Sequence, residues 1–247
     1  MKWLAPVHRC HLEWGPRGAV DAASRGDVVI VVDVLSFTSA VATAIEAGGE
    51  IVPARDQLEG RHVAVQLGAE LAGKRGEAGA TFSLSPLSFR TAPEGRQVVL
   101  ASPNGATCAL AAAGARALLA GCLLNASAVA ACAERLATRE QLGVTVVPAG
   151  ERWPETGELR VAIEDYLGAG AILSGVGLEK SPEAAVCVAA FEVCRDRIFE
   201  LIWQSSSGRE LQDKGYGADV RHSAQLDLFE SVPLAKLIDK GRPVFSR

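Results

Sequence analysis

The chain has 247 residues, 49% of them hydrophobic and 5% aromatic, and its formal net charge is −4. This length suits one well-buried core, and the apolar fraction argues against long disordered segments. The net negative charge and the lack of any cluster of lysine or arginine argue against nucleic acid and anionic membranes as partners. We therefore expect a single domain over residues 1–247 that acts on a small molecule, with homo-oligomerisation left open.

Two long apolar stretches, Val28–Ile45 and Val161–Leu178, could suggest membrane spans. Each contains at least one carboxylate, and the first begins as a β-branched run, so neither predicts a transmembrane helix. The opening Met1–Pro6 has no apolar segment of the secretory kind. We therefore expect a cytoplasmic protein whose six cysteines stay reduced.

The chain repeats one unit: an apolar run, a polar loop and an Ala-rich helical stretch. Four runs predict buried strands: Val28–Val32, Val98–Leu100, Leu118–Leu119 and Val144–Val147. Strands buried on both faces are typical of parallel sheets covered by helices. The pattern predicts a layered α/β/α fold with a largely parallel sheet, as one body or as two closely joined lobes.

The remaining segments are less regular. Ala184–Trp203 predicts one long helix, and Gly241–Phe245 predicts a last strand. Glu50–Glu94 carries no clear pattern and could form a second small lobe. Ligands of α/β folds bind beyond the carboxyl ends of the strands, so we expect the polar loops after the four predicted strands to meet at one sheet edge.

Asp33 is the only charged residue between Asp27 and Glu46, and it stands where a buried strand ends. A carboxylate there is costly unless it is paired, hydrogen-bonded or bound to a metal. It could simply fix the loop, but Ser36 is the better placed helix cap. We therefore expect Asp33 to belong to the functional site.

Glu164 and Asp165 are the only charges in the apolar stretch Val161–Leu178. Neighbouring positions on a helix diverge by about 100°, so the two side chains cannot share one direction. We expect one to face the site and the other to support it. A solvated helix edge is the alternative.

Asn104-Gly105 and Asn125-Ala126-Ser127 both read as helix starts that follow strands. Helix N-termini present free backbone N–H groups and bind anions, although Asn and Ser are also ordinary caps. Arg152 could add a charged clamp, or it could be a surface arginine. Together these residues predict a site for a phosphate or a carboxylate.

Several common sites are missing from the sequence, which narrows the chemistry. We find neither a phosphate-binding glycine loop nor a dinucleotide fingerprint, and the four histidines form no H-E-x-x-H pair. The candidates that remain carry oxygen ligands, which favour Mg²⁺ over zinc.

A series of segments in a fixed order resembles one known family. They are Ile30–Leu35 with Thr38, Ser102–Thr107, Leu124–Ala128, Ala149-Gly150, Ile163–Asp165 with Gly168–Ile172, Ser207–Leu211, Gly215-Tyr216, Asp219-Val220, Leu226-Asp227 and Val232-Pro233. In number and order they resemble the 2-phosphosulfolactate phosphatase family. The resemblance implies an α/β, magnesium-dependent phosphatase that acts on a small sulfonated phosphomonoester.

The resemblance and the residues together predict a site. Mg²⁺ would bind Asp33 and one or both of Glu164 and Asp165, and either a bound water or Asp33 itself would attack the phosphorus. The residues expected to bind the substrate are Ser36, Thr38, Asn104, Gly105, Asn125, Ser127 and Arg152.

Three positions depart from the family pattern. Ser36 replaces a usual arginine, Ser207 replaces a frequent histidine, and the loop Phe82–Pro86 is shortened. A hydroxyl cannot replace a guanidinium in binding an anion. The alternatives are therefore a phosphatase of altered substrate, with Arg152 the first candidate for the missing arginine, or an anion-binding module without catalysis. A third is a structural protein whose carboxylates pair with Arg160 or Arg209.

Overall fold

The computed structural model describes residues 8–91, 94–238 and 241–247. The segment Met1–Pro6, in which we predicted no export signal, lies outside the described residues. Among the helices that are described, none has the length and apolar character needed to cross a bilayer.

Strands and helices alternate along most of the described chain. The strands are β1 (Cys10–Leu12), β2 (Val28–Val32), β3 (Glu50–Ala54), β4 (Glu70–Leu71), β5 (Gln97–Ala101), β6 (Ala117–Gly121), β7 (Val144–Pro148), β8 (Glu151–Arg152), β9 (Leu159–Arg160), β10 (Leu234–Ile238) and β11 (Arg242–Ser246). The α-helices are α1 (Gly15–Ser24), α2 (Phe37–Glu46), α3 (Gln57–Leu67), α4 (Gly105–Ala111), α5 (Ala126–Glu140), α6 (Ile163–Ser174), α7 (Pro182–Cys194), α8 (Ile198–Gln204), α9 (Ser206–Asp213) and α10 (Gly217–Ser223).

One large sheet has the strand order β1-β7-β2-β6-β10-β11-β3-β5-β4, and β8 pairs with β9 as a separate hairpin. Neighbours are parallel within β1-β7-β2-β6 and within β3-β5-β4. The antiparallel hairpin β10–β11 joins the two groups. The predicted layered α/β fold with a largely parallel sheet is confirmed.

Strand β2 explains why its sequence reads as a continuous apolar run. Val28, Ile30 and Val32 pack into the core beneath α5, α6 and α7. Val29 and Val31 pack into the core on the other face, with α1, α2 and α4. Because successive side chains of a strand point to opposite faces, a strand covered on both sides needs apolar residues at every position.

The expectation of a single sheet edge needs a correction. Three antiparallel pairings separate β6 from β3, so β3, β5 and β4 run opposite to the first group. The loops after β2 and β5 nevertheless meet, because the backbone N–H of Gly105 donates to Asp33. Strand twist, about 20–25° per step, accumulates to about 100–125° over the five steps from β2 to β5 and allows this approach.

Other predicted elements were partly right. The last strand is β11, and the segment Glu50–Glu94 contributes β3 and β4 to the large sheet, with α3 between them. The long helix Ala184–Trp203 was wrong: α7 ends at Cys194, and a 3₁₀ turn at Arg195–Arg197 separates it from α8. Apolar periodicity cannot detect such a break when both helices bury one side.

Candidate functional site

A cavity of about 720 Å³ opens where β2, β5 and β7 end. Asp33 follows β2, Asn104 follows β5 and Glu151 follows β7, and all three line it. The loops after the parallel strands β2 and β7 lie together as the strand-end rule predicts, and the loop after β5 joins them from the oppositely directed group of strands.

Asp33 is held in place by two backbone donors. The Phe37 N–H donates to its Oδ1 at 3.2 Å, and the Gly105 N–H donates to its Oδ2 at 2.8 Å. Only 6% of the residue is exposed. Burial raises the pKa of the carboxyl to about 6, although the two N–H donors oppose the shift. Gly105 is required at its position, because a Cβ there would lie 2.5 Å from Asp33 Oδ2.

Asp165 joins two of the loops from the first turn of α6. Its Oδ1 accepts the Val34 N–H at 2.7 Å, and its Oδ2 accepts the Gly150 N–H at 2.9 Å. Burial, then the charges of Asp33 and Glu164, hold the pKa of Asp165 well above its usual range. Since the carboxylate ties the loop after β2 to the loop after β7, it supports the site from behind the cavity.

Glu164 and Glu151 complete a concentration of negative charge. Glu164 is 2% exposed and lies beside Asp165 at the start of α6, where the helix dipole favours an acid. Burial raises the pKa of Glu151 to about 7, and the charges of Asp33 and Glu164 add to that shift. Asn104 Nδ2 donates to Glu151 Oε2 at 2.8 Å and fixes its orientation.

These four acids do not pair with cations. None of them lies within 4.0 Å of a lysine or arginine nitrogen in the described part of the chain. Arg160 instead stacks over the Trp153 ring at 5.6 Å from its centre. The structure therefore gives no support to the alternative in which arginines neutralise the carboxylates.

The cavity also carries positive charge. Lys74, Arg75 and Lys214 line it and form its cationic wall, and Lys214 pairs with Glu210. Arg75 Nε donates to Asp219 Oδ2 at 3.1 Å, and its Nη2 donates to Ser36 Oγ and to the Leu84 carbonyl. A guanidinium therefore lies beside Ser36, but it comes from the loop after β4.

The structure does not bring Asn125 and Ser127 to the cavity. Asn125 is fully buried, and its side chain accepts the Cys122 N–H and donates to the Ser231 carbonyl. Ser127 donates its N–H and its hydroxyl to the carboxylate of Asp227. The helix start that we expected to bind an anion is already occupied by an aspartate of the chain.

Thr38, Gly105 and Arg152 also have partners away from a ligand. The Thr38 hydroxyl accepts the N–H of Asp33 and donates to its carbonyl, which holds the loop together. The Gly105 N–H is used by Asp33. Arg152 is exposed, and its Nη1 donates to the Gly157 carbonyl within the β8–β9 connection. It is not the cation next to Ser36.

The donor chemistry of the acidic wall fits a magnesium ion, since all candidates are oxygen ligands. No three Asp, Glu, His or Cys side chains converge as a preformed metal group in residues 8–91, 94–238 and 241–247. Magnesium keeps several waters and needs only one or two carboxylates with a phosphate, so two carboxylates would suffice for a site here.

Sequence reasoning missed two residues of the cavity, Glu151 and Arg75. Glu151 follows β7 by the same rule that selected Asp33, and it could have been chosen over its neighbour Arg152. Arg75 lies in a segment without periodicity, and its pairing with Asp219 spans 144 positions. Nothing local in the sequence signals a contact of that kind.

Comparison with known proteins gives one consistent result. A family model described as 2-phosphosulpholactate phosphatase matches residues 17–237. A probable 2-phosphosulfolactate phosphatase of Carboxydothermus hydrogenoformans is 33% identical over 223 residues, covering 87% of this chain and 89% of its own. A 2-phosphosulfolactate phosphatase of Methanothermobacter thermautotrophicus is 31% identical over 209 residues, covering 83% and 85%.

Proposed function

Because the chain belongs to the 2-phosphosulfolactate phosphatase family, we propose that it is a magnesium-dependent phosphatase, folded as a single domain, for a small anionic phosphomonoester. The observation that carries the proposal is a pair of carboxylates without a cationic partner, Asp33 and Glu151, in a cavity that is also lined by Lys74, Arg75 and Lys214. Acids that have a raised pKa and no cationic partner lower the stability of the folded state, and such acids cluster at catalytic sites.

Asp33 and Glu164 are the side chains that would hold the metal ion. Asp165 would act through the backbone, because both of its oxygens already accept N–H groups of the loops that carry Asp33 and Glu151. When bound, magnesium would neutralise charge on the phosphoryl oxygens. A cation there would also offset the repulsion among the four acids.

The two acids of the cavity suit opposite proton transfers. Asp33 would accept a proton from the attacking water. Glu151, with a pKa of about 7, holds a proton near neutral pH and would give it to the oxygen that leaves phosphorus. Water thus forms a bond to phosphorus as the ester bond breaks, which yields inorganic phosphate and an alcohol. Asn104 keeps Glu151 directed at the cavity.

We further propose a cytoplasmic location. The six cysteines are all free, and five of them are buried. Free thiols are typical of proteins in a reducing compartment.

The test is release of phosphate from 2-phosphosulfolactate by the purified protein, with and without magnesium. Asp33→Asn should abolish release, whereas Asp27→Asn is the matched control. Asp27 lies just before β2, at its other end, and pairs with Arg25. Activity that persists in Asp33→Asn, or that does not need a divalent ion, would contradict the proposal.

Thermal unfolding provides a readout without turnover. Magnesium should raise the melting temperature of the wild type more at pH 7.5 than at pH 5, because the Asp33 carboxyl, whose pKa burial raises to about 6, is ionised mainly at the higher pH. Asp33→Asn should lose most of this increase. Equal increases in both proteins would place the ion elsewhere.

A further inference from the structure

The cationic wall of the cavity is built around one arginine. The side chain of Arg75 is 16% exposed, and its guanidinium carbon lies 5.5 Å from the centre of the Tyr216 ring. Nε is bonded to Asp219, and Nη2 is bonded to Ser36 and the Leu84 carbonyl. In the described part of the chain Nη1 has no acceptor, so its donors remain for a ligand.

Asp219 fixes this arrangement from α10. It is 2% exposed, and its second oxygen accepts the Ser85 hydroxyl at 2.6 Å. A buried carboxylate with two such partners is held in one orientation. Asp219 in turn fixes the guanidinium of Arg75, because Oδ2 of Asp219 lies 3.1 Å from Nε of Arg75. Arginine held in this way loses little further entropy when it binds an anion.

We propose that Arg75 is a specificity-determining residue that binds a second anionic group of the substrate, a sulfonate or a carboxylate, and that Asp219 positions it. The inference rests on the proposed function, since the phosphoryl group would occupy the acidic end. A phosphomonoester with a second anion then spans the cavity from Asp33 to Arg75, and one without it leaves the guanidinium unpaired.

Three phosphate esters test whether Arg75 binds a carboxylate or a sulfonate of the substrate. Isopropyl phosphate has no second anion, 2-phospholactate replaces one methyl group by a carboxylate, and 2-phosphosulfolactate adds a sulfonate. In the wild type kcat/KM should rise along the series by about ten- to a hundredfold at the step that supplies the group bound by Arg75. Arg75→Ala should remove that one step, so that the ratio of kcat/KM between the two esters that differ by this group falls to about one. Arg17→Ala, an exposed arginine of α1, is the control.

Asp219→Asn tests positioning. It should reduce the same ratio through KM, with kcat on isopropyl phosphate preserved, a split that general destabilisation would not produce. Removal of Arg75 leaves Asp219 buried without its cation, so Arg75→Ala could fail to fold. In that case the double variant Arg75→Ala/Asp219→Asn is measured in its place. Unchanged ratios in the folded variants would overturn the inference.

Binding without chemistry separates this inference from the proposed function. Sulfolactate and lactate carry the second anion but no phosphate, and their affinities can be measured by calorimetry. We expect Arg75→Ala to weaken one of them about ten- to a hundredfold. If the wild type hydrolyses none of the esters, the proposed function fails and this measurement alone decides the role of Arg75. If it hydrolyses all three equally, the function stands and the role of Arg75 is refuted.

Discussion

Replacement of Asp33 by asparagine should change how the stability of the protein depends on pH. The carboxyl has a pKa of about 6 in the folded protein, against an ordinary value of 3.8. A raised pKa means that the folded state holds its proton over a range in which the unfolded state has lost it. Stability therefore falls as pH rises from about 4 to about 6, and the loss persists above that range.

The size of the effect follows from the shift in pKa. Linkage gives a destabilisation of about 1 kcal/mol at pH 4.5 and about 3 kcal/mol at pH 7.5 from this one group. Asparagine removes that dependence. It also costs about 1–3 kcal/mol at every pH, because its amide nitrogen faces one of the two backbone N–H donors.

The constant cost cancels when the two pH values are compared within each protein. Without metal, the wild type should lose about 2 kcal/mol more than Asp33→Asn between pH 4.5 and pH 7.5. For a chain of this size the difference is about 4–8 °C in melting temperature. Differential scanning calorimetry in metal-free buffers measures it. If the stability of the two proteins changes with pH in the same way, the pKa of Asp33 is not raised in the folded state. The reasoning on Asp33 would then fail.

Two further substitutions test the loops. Gly105→Ala should lower kcat at least tenfold, because the added Cβ would displace the carboxylate of Asp33. Gly114→Ala is the control, since Gly114 has open space around it and its replacement should not change kcat. Equal rates for the two variants would refute the close approach of Gly105 to Asp33. Ser127→Ala should cost about 1 kcal/mol of stability through its bonds to Asp227 and leave KM unchanged, whereas a raised KM would return Ser127 to the substrate site.

Local patterns in the sequence predict the main strands and the position of Asp33. Val28–Val32 is apolar at every position because helices cover both faces of β2, so the strand and its end are readable without a structure. Asp33 and Asn104 then follow from the strand-end rule, and both line the cavity.

The partners of polar groups could not be predicted in the same way. Asn125 and Ser127 have the right type and position for an anion site, but Ser231 and Asp227, about a hundred residues later, take their hydrogen bonds. Arg75 is the converse case, since its role depends on Asp219. A single sequence states which groups are available at a strand end and leaves open which distant residue satisfies them.

Asp165 and Glu164 illustrate the same limit. The sequence predicts that their side chains point in different directions, but it does not predict which role each side chain has. Asp165 accepts the N–H groups of Val34 and Gly150. In Asp165→Asn one of these donors faces an amide nitrogen, so the variant should lose about 1–3 kcal/mol of stability, with activity falling as the two loops separate. Urea unfolding measures the loss, and a variant as stable as the wild type would show that the tie is dispensable.

Glu164→Gln should act on the chemistry instead. The amide keeps the shape of the side chain but removes a charge that raises the pKa of Glu151. Glu151 must hold its proton to act as the acid, so the alkaline limb of the kcat/KM profile should move to lower pH. The change also removes a carboxylate from the proposed metal site, so the magnesium concentration for half-maximal activity should rise. If both limbs of the profile stay in place while only the melting temperature falls, Glu164 is a structural residue and the metal site must be built without it.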